Sequence, residues 1–324
     1  MSDLEDIKKP IEAELKLFNE IFRDNILTDS GLLRSVINYV LKSKGKQLRP
    51  IIVFLTAGAC GKINPKTHNA AALIELMHTA TLIHDDVVDD SLFRRNAFSI
   101  NGLWKNKVAV LIGDYLLARG LLLAVKNKEF DLLEAVSSAV DEMSRGEILQ
   151  IKKSRQLNIT ETEYFEIIEK KTASLIAACA KIGAESVDAD EQTVAKMHEF
   201  GINLGIAFQI KDDLFDYKLD NKTGKPAGND LKEHKLTLPL IFTKERANYK
   251  ERRKLLKIIK SKNHSYSQIA NLVEIVSNKG GFDYATQRMI DYKNLALDCL
   301  EVLPDNEYRK ALKQLVEFVI DRDE

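Results

Sequence analysis

The chain has 324 residues, of which 45% are hydrophobic and 30% charged, a balance that excludes wholesale disorder. Its 48 Lys and Arg offset 48 Asp and Glu, so a global basic field for nucleic acid is absent. Six prolines and 15 glycines fall below ordinary usage, and no proline lies between Pro65 and Pro226, which favours long helices over a loop-rich β protein.

The N-terminal Met-Ser-Asp-Leu-Glu-Asp is acidic and lacks the basic and apolar regions of a signal peptide. Arg49-Pro50 fits a helix start, because proline is tolerated in the first turn. Leu73, Leu76, Met77, Ala80 and Ile83 recur at helical spacing, as do Leu116, Leu117, Gly120, Leu121 and Ala124. The most apolar stretch, Val108 to Val125, is broken by Asp114 and Arg119. A spanning helix needs about 20 mostly apolar residues, so no transmembrane segment is expected. Thr160-Glu-Thr-Glu163 has the pattern of a capping box, starting a helix that runs through Lys171 and Thr172 to about Gly183. Asp188 is expected to start the next helix, to about Lys218, and Asp220 to Asp230 is the clearest loop. There is no strand-like alternation, repeat, or Pro/Gly/Ser-rich linker. Cys60, Cys179 and Cys299 are odd in number and widely spaced, as expected of buried free thiols in a reducing cytoplasm. The expectation is an all-α fold, one large helical bundle occupying residues 1–324 as a single domain.

The sharpest feature is Asp85-Asp86-Val-Val-Asp89-Asp90, followed by Arg94 and Arg95. A second cluster reads Asp212-Asp213-Leu-Phe-Asp216. Both have the form Asp-Asp-x-x-Asp, which on a helix puts the first and last carboxylates one turn apart on one face. Like charges at that spacing repel, and each cluster ends an apolar run, so something positive should offset them. Mg²⁺ is the natural candidate: it prefers carboxylate oxygens and binds through few protein ligands plus substrate phosphates. Six carboxylates around one cavity are too many for one ion. A solvated helix end is the simplest alternative for one cluster but a poor account of two. An EF-hand fails, because the sixth and twelfth positions from Asp85 are Asp90 and Asn96 instead of Gly and Glu. Zinc-type Cys/His spacing is absent.

Cations should ring such a site. Arg94 and Arg95 follow the first cluster, Gly45-Lys46-Gln47-Leu48-Arg49-Pro50 forms a short basic element, and Lys225 and Lys235 follow the second cluster. His78 lies two helical turns before Asp85 on the same face, as a core histidine or a phosphate donor. His84, directly before the cluster, reads as a packing residue or an orienting partner for the carboxylates.

In this order the motifs resemble the trans-type (E-type) polyprenyl diphosphate synthases. The match runs from about Leu32 to Ile320 and includes Gly45–Pro50, His78 to Arg95, and Gly113-Asp114-Tyr115-Leu116. It continues through Gly146-Glu147 and Gln150, Lys171-Thr172, Phe208 to Asp216, Gly224-Lys225, and Lys235-x-Thr-Leu-Pro239. The Val-Val-Asp-Asp-Ser form is similar to the long-chain, octaprenyl-type branch. The resemblance implies a deep central cavity, a homodimer, and Mg²⁺-dependent condensation of isopentenyl diphosphate with an allylic diphosphate, farnesyl diphosphate favoured. Three ions would be held with substrate bound. It implies that Asp85, Asp89, Asp212 and Asp216 bind metal, with Asp86 and Asp213 supporting them. Arg94, Lys171, Thr172, Gln209, Lys225 and Lys235 would hold the allylic diphosphate, and Lys46, Arg49, His78 and Arg95 the isopentenyl diphosphate. Lys171 and Lys235 also count with the six aspartates as the catalytic set.

Product length should depend on the residues below the first cluster. Ala80 and Thr81 stand where shorter-chain relatives often carry an aromatic floor, and Met77 and Leu73 on the turns below could form a later stop. Ala80 favours a long product, heptaprenyl to nonaprenyl. Alternatives are a farnesyl or geranylgeranyl synthase, a class I terpene cyclase, and a non-catalytic subunit. The cyclase lacks need of a second diphosphate site, and non-catalytic subunits typically lose aspartates that are complete here. Departures from the family pattern are Asn96, Lys211 and His234, which leave every motif aspartate in place.

Overall fold

The computed structural model describes residues 3–28, 30–42, 45–94, 97–217, 235–261 and 266–321, without the side chains of Arg155 and Tyr266. Helix follows helix: α1 Leu4–Lys8, α2 Glu12–Ile26, α3 Gly31–Lys42, α4 Leu48–Cys60, α5 Pro65–Val88, α6 Ile100–Asn127, α7 Phe130–Gln156, α8 Glu161–Ile168, α9 Ser174–Glu185 and α10 Glu191–Phe215. After residue 235 come α11 Leu238–Arg246, α12 Tyr249–Ile259, α13 Tyr266–Asn278, α14 Gly281–Cys299 and α15 Glu307–Asp321. Among the described residues the only sheet is a hairpin of two-residue strands, β1 Phe93–Arg94 and β2 Ala97–Phe98. Strands that short leave no alternating pattern to read.

Local chemistry explains the boundaries. Asn64 and Thr67 form a capping box at the start of α5, and Thr160 and Glu163 form the expected one at α8. Pro50 lies in the first turn of α4. The helix expected from Asp188 begins two residues later. Asp190 is the cap, its carboxylate accepting from Thr193 N at 2.9 Å, while Asp188 sits at φ 55° in the preceding turn. The run expected from Thr160 to Gly183 is interrupted by a π-helical turn, Glu169–Ala173, between α8 and α9.

One buried apolar cluster extends from Ile7 in α1 to Ile320 in α15. Helix α4, buried along nearly its whole length, lies at its middle and packs on α9, while α5 packs along α6, and α10 against α9 and α14. The contact of α10 with α9 and with the π-helical turn before it is unusually close. A Cβ on Gly205 would fall 2.4 Å from Ala173 Cα, and one on Gly201 2.3 Å from Ala177 Cα.

Helix α6 is long and apolar enough to cross a membrane by length and composition alone, a test that the core helix of a globular protein also passes. Both charges are accommodated at the helix flanks: Arg119 Nε donates to Asn25 O, and Asp114 is exposed beside His84. Ala109, Ile112, Leu116 and Leu123 are buried, whereas Val110, Leu111, Leu121, Leu122 and Val125 form an exposed apolar face.

Because the contact of α10 with the π-helical turn leaves no room for a methyl group between backbones, Gly205→Ala is expected to cost about 1–3 kcal/mol in a chemical-denaturation experiment. An unchanged midpoint would show that the helices can separate freely.

Candidate active site

The first aspartate cluster occupies the C-terminal turn of α5, with Asp89 as its cap. Helix dipoles place negative charge at that end, so three carboxylates there are opposed by the helix itself. The chain then reverses through Asp90 at φ 48°, and Ser91 N donates to Asp86 O at 2.9 Å. The hairpin carries Arg94 back, so that its Nε donates to Asp86 Oδ1 at 3.0 Å. Asn101 Nδ2 also donates to Asp86 O, at 3.2 Å. Asp86 is therefore 6% exposed and bound, while Asp85 and Asp89 face outward. Desolvation by neighbouring protein pushes the Asp85 carboxyl up, although the residue keeps solvent access; Glu147 and Asp89 add to the rise, and Lys171 and Arg94 oppose it. Burial likewise raises Asp86, with Arg94 opposing.

The second cluster ends α10, with Asp216 as its cap. Its middle member is again the buried one. Asp213 is 5% exposed and accepts from Tyr164 Oη at 2.7 Å and Gln209 Nε2 at 2.8 Å. Gln209 in turn accepts from Thr172 Oγ1 at 2.7 Å. Thr172 and Lys171 lie on the π-helical turn, whose extra residue alters the direction of the side chains it carries. Gly146 on α7 lets that turn approach, since a Cβ there would sit 2.7 Å from Lys171 N. Lys171 donates to Gln150 at 2.8 Å and pairs with Glu147.

The π-helical turn and the buried Asp213 of the second cluster border a cleft with about 630 Å³ of empty space, shared with solvent. Gln150, Lys171, Thr172, Gln209, Asp213 and Lys235 are among its lining residues. Five of those six are predicted site residues, and the first cluster is electrostatically linked to this region, since the charges of Glu147 and Lys171 act on Asp85. Other predicted residues lie elsewhere. Lys46 Nζ sits 5.6 Å from the Phe318 ring of α15, Arg49 is near enough to Cys179 to influence it, and His78 is buried in α5. None of these three lines the cleft. Arg95, Asn96, Lys225 and His234, and the Asp220 to Asp230 loop, lie outside the described residues. Lys211 rests 5.0 Å from the Phe215 ring. Ala80, Leu73 and Met77 are buried, and Thr81 is half-buried with its hydroxyl donating to His78 O. Burial pushes the Cys60 and Cys179 thiols up to about 12, so neither supplies a thiolate at neutral pH.

Three residues without an assigned role in the sequence reading belong to the site: Glu147, Gln150 and Tyr164. Glu147 and Gln150 have a legible signal, since their i,i+3 spacing puts both on the face of α7 that meets Lys171. Tyr164 has none, because its contact with Asp213 joins residues 49 apart in sequence.

The family model for polyprenyl synthetase matches residues 30–276. The chain belongs to that family. Among curated relatives, an all-trans-nonaprenyl-diphosphate synthase (geranyl-diphosphate specific) of Rhodobacter capsulatus is 37% identical over 320 residues, 98% of each chain. A short chain isoprenyl diphosphate synthase of Methanothermobacter thermautotrophicus is 35% identical, covering 95% of this chain and 96% of the relative. Among solved structures, a polyprenyl synthase from Caulobacter crescentus, complexed with calcium and isoprenyl diphosphate, superposes with a TM-score of 0.91 at 32% identity, covering 99% of this chain and 98% of that one. The synthase is thus a trans-prenyltransferase with the all-α isoprenoid synthase fold.

The residues of the synthase fit a hard divalent ion. All the candidate donors are carboxylate oxygens, and burial, with Asp89 nearby, pushes the Asp85 and Asp86 carboxyls up despite Lys171 and Arg94, so their ionised forms would gain from an added cation. Among the described residues no three carboxylates converge on a ready-made cage. That arrangement suits an ion completed by substrate phosphates and water.

The rise at Asp85 means that its ionised form destabilises the metal-free fold. The penalty is present at neutral pH and disappears as pH falls below the ordinary carboxylate range, where the group is protonated in both states. Asp85→Asn is therefore expected to raise the melting temperature in chelator by roughly 1–2 °C at pH 7 and not at pH 3.5. A lower melting temperature at pH 7 would contradict this electrostatic account.

Proposed function

We propose that the synthase joins isopentenyl diphosphate to an allylic diphosphate, farnesyl diphosphate favoured, by Mg²⁺-dependent head-to-tail (1'-4) elongation. The product is a long-chain all-trans polyprenyl diphosphate, heptaprenyl to nonaprenyl with octaprenyl favoured. The observation that carries this reading is two Asp-Asp-x-x-Asp helix ends, each with its middle carboxylate buried and bound, the second bordering a cleft lined by Lys171, Thr172, Gln209 and Lys235 and the first within electrostatic reach of Lys171.

When bound, Mg²⁺ would supply positive charge to offset the charge developing on the leaving diphosphate. Asp85, Asp89, Asp212 and Asp216 would hold the ions. Asp86 and Asp213, already engaged by Arg94, Tyr164 and Gln209, keep the two helix ends in place. Lys171, Lys235 and Arg94 hold the allylic diphosphate, with Thr172 and Gln209 as hydrogen-bonding partners and Lys225 closing the set. Lys46, Arg49, His78 and Arg95 hold isopentenyl diphosphate so that its double bond meets the allylic carbon. Product formation then needs only loss of a proton, for which the departing diphosphate is the base; no protein nucleophile is required.

The protein acts as one domain, supported by its single apolar cluster, and as a cytoplasmic homodimer. The exposed apolar face of α6 supports the dimer, since a second copy would remove it from water. Buried Ala80, with no aromatic at Thr81, supports a long product. The short-chain relative favours a second reading, a geranylgeranyl or farnesyl synthase, differing only in where elongation stops.

Labelled isopentenyl diphosphate, farnesyl diphosphate and Mg²⁺ should give products ending between heptaprenyl and nonaprenyl, and chelator should abolish them. Ala80→Tyr should shift the end point to geranylgeranyl or shorter, because a ring there fills space that a methyl leaves open. A wild-type stop at geranylgeranyl would establish the second reading, and no elongation with any allylic primer would overturn both.

A further inference from the structure

His84 immediately precedes the first aspartate cluster, and its ring is held by α6 instead of by α5. The imidazole lies flat against Gly113: a Cβ there would fall 2.1 Å from Nε2 and 2.4 Å from Cδ2. Only glycine leaves that space. Nε2 is 3.1 Å from Val110 O and 3.6 Å from Asp114 Oδ1. A carbonyl only accepts, so Nε2 carries the proton and donates to it. The ring is thus clamped by a backbone acceptor, a carboxylate beside it, and a glycine floor, all within one turn of α6.

The clamp lies where α5 needs one. The last turn of a helix has unsatisfied carbonyls and the negative end of the dipole, and here it also carries Asp85, Asp86 and Asp89. That turn is the part of α5 most prone to fray. Asp86 is fixed by Arg94 and Asn101 on the hairpin side. On the α6 side the corresponding anchor is His84.

We infer that His84 is a positioning residue for the first aspartate motif, seated on α6 by Gly113 and Val110, and that this seat sets the metal affinity of Asp85 and Asp89. The inference rests on the metal-binding role proposed above for those two aspartates. His84 does not touch the ion. It acts by fixing the backbone that presents the two carboxylates, as partners of metal ligands commonly do. Gly113 is equally part of the device, although it has no side chain and lies on a different helix.

The test compares wild type with His84→Ala, His84→Gln and Gly113→Ala. Gln places an amide N–H close to the position of imidazole Nε2–H and can still donate to Val110 O. One readout is the Mg²⁺ concentration giving half-maximal elongation, measured alongside KM for isopentenyl diphosphate. The other needs no turnover: calorimetric binding of Mg²⁺ together with inorganic diphosphate. His84→Ala and Gly113→Ala should each raise the Mg²⁺ requirement and weaken Mg²⁺–diphosphate binding about 10-fold, with KM for isopentenyl diphosphate within about twofold. His84→Gln should recover most of the loss, which a purely space-filling role would not predict. If His84→Ala does not fold, Gly113→Ala and His84→Gln carry the same comparison. Unchanged Mg²⁺ response in the Ala variants, or a Gln variant no better than Ala, overturns the inference. A wild type that binds Mg²⁺–diphosphate but elongates nothing overturns the proposed function instead, and the calorimetric comparison then decides the role of His84 alone.

Discussion

Both carboxylate clusters sit at the negative end of a helix, and the surrounding structure is arranged around that unfavourable placement. Asp89 caps α5 and Asp216 caps α10, so each motif adds charge where the helix already concentrates it. Nothing about helix propensity rewards such an arrangement. It persists because one aspartate in each motif is withdrawn and satisfied, Asp86 by Arg94 and Asp213 by Tyr164 and Gln209. A buried carboxylate without partners would cost several kcal/mol, whereas one with charged or paired donors becomes an anchor. Asp85 and Asp89 then stay exposed, while Asp212 and Asp216 are half-buried.

Packing serves the same end. Gly201 and Gly205 bring α10 within backbone contact of α9 and the π-helical turn. Gly146 brings that turn against α7. As a result, Lys171 lies between Glu147 and Gln150, and Thr172 reaches Gln209, which reaches Asp213. A chain of hydrogen bonds therefore runs from the cationic side of the cleft to the anionic helix end. Polar networks of this kind hold geometry tightly only when every member is satisfied, and Thr172, Gln209 and Asp213 each find a partner.

Much of this was legible in the sequence, because helical periodicity and Asp-Asp-x-x-Asp spacing act locally. The repeated Leu73 to Ile83 pattern, the Thr160–Glu163 cap, and the one-turn separation of the aspartates all follow from 3.6 residues per turn. What escaped depends on contacts distant in sequence or on small changes in backbone hydrogen bonding. The π-helical turn at Glu169–Ala173 leaves no compositional trace. Tyr164 meets Asp213 only through packing, and a glycine such as Gly113 announces its role only once the His84 ring is seen against it. The shift of the α10 cap from Asp188 to Asp190 is a choice between two aspartates, decided by which side chain reaches the Thr193 amide. Asp114 and Arg119 interrupt the apolar run of α6 without breaking the helix, because each finds a partner at its edge.

The division of labour within the two motifs is the central claim, and a crystal structure with Mg²⁺ and a non-ionisable allylic diphosphate analogue tests it most directly. The account predicts metal ions bridging the diphosphate to Asp85, Asp89, Asp212 and Asp216, with Asp213 still bound by Tyr164 and Gln209 and Asp86 still buried at the hairpin. Metal ligated by Asp86 and Asp213, with Tyr164 and Gln209 displaced, would contradict it.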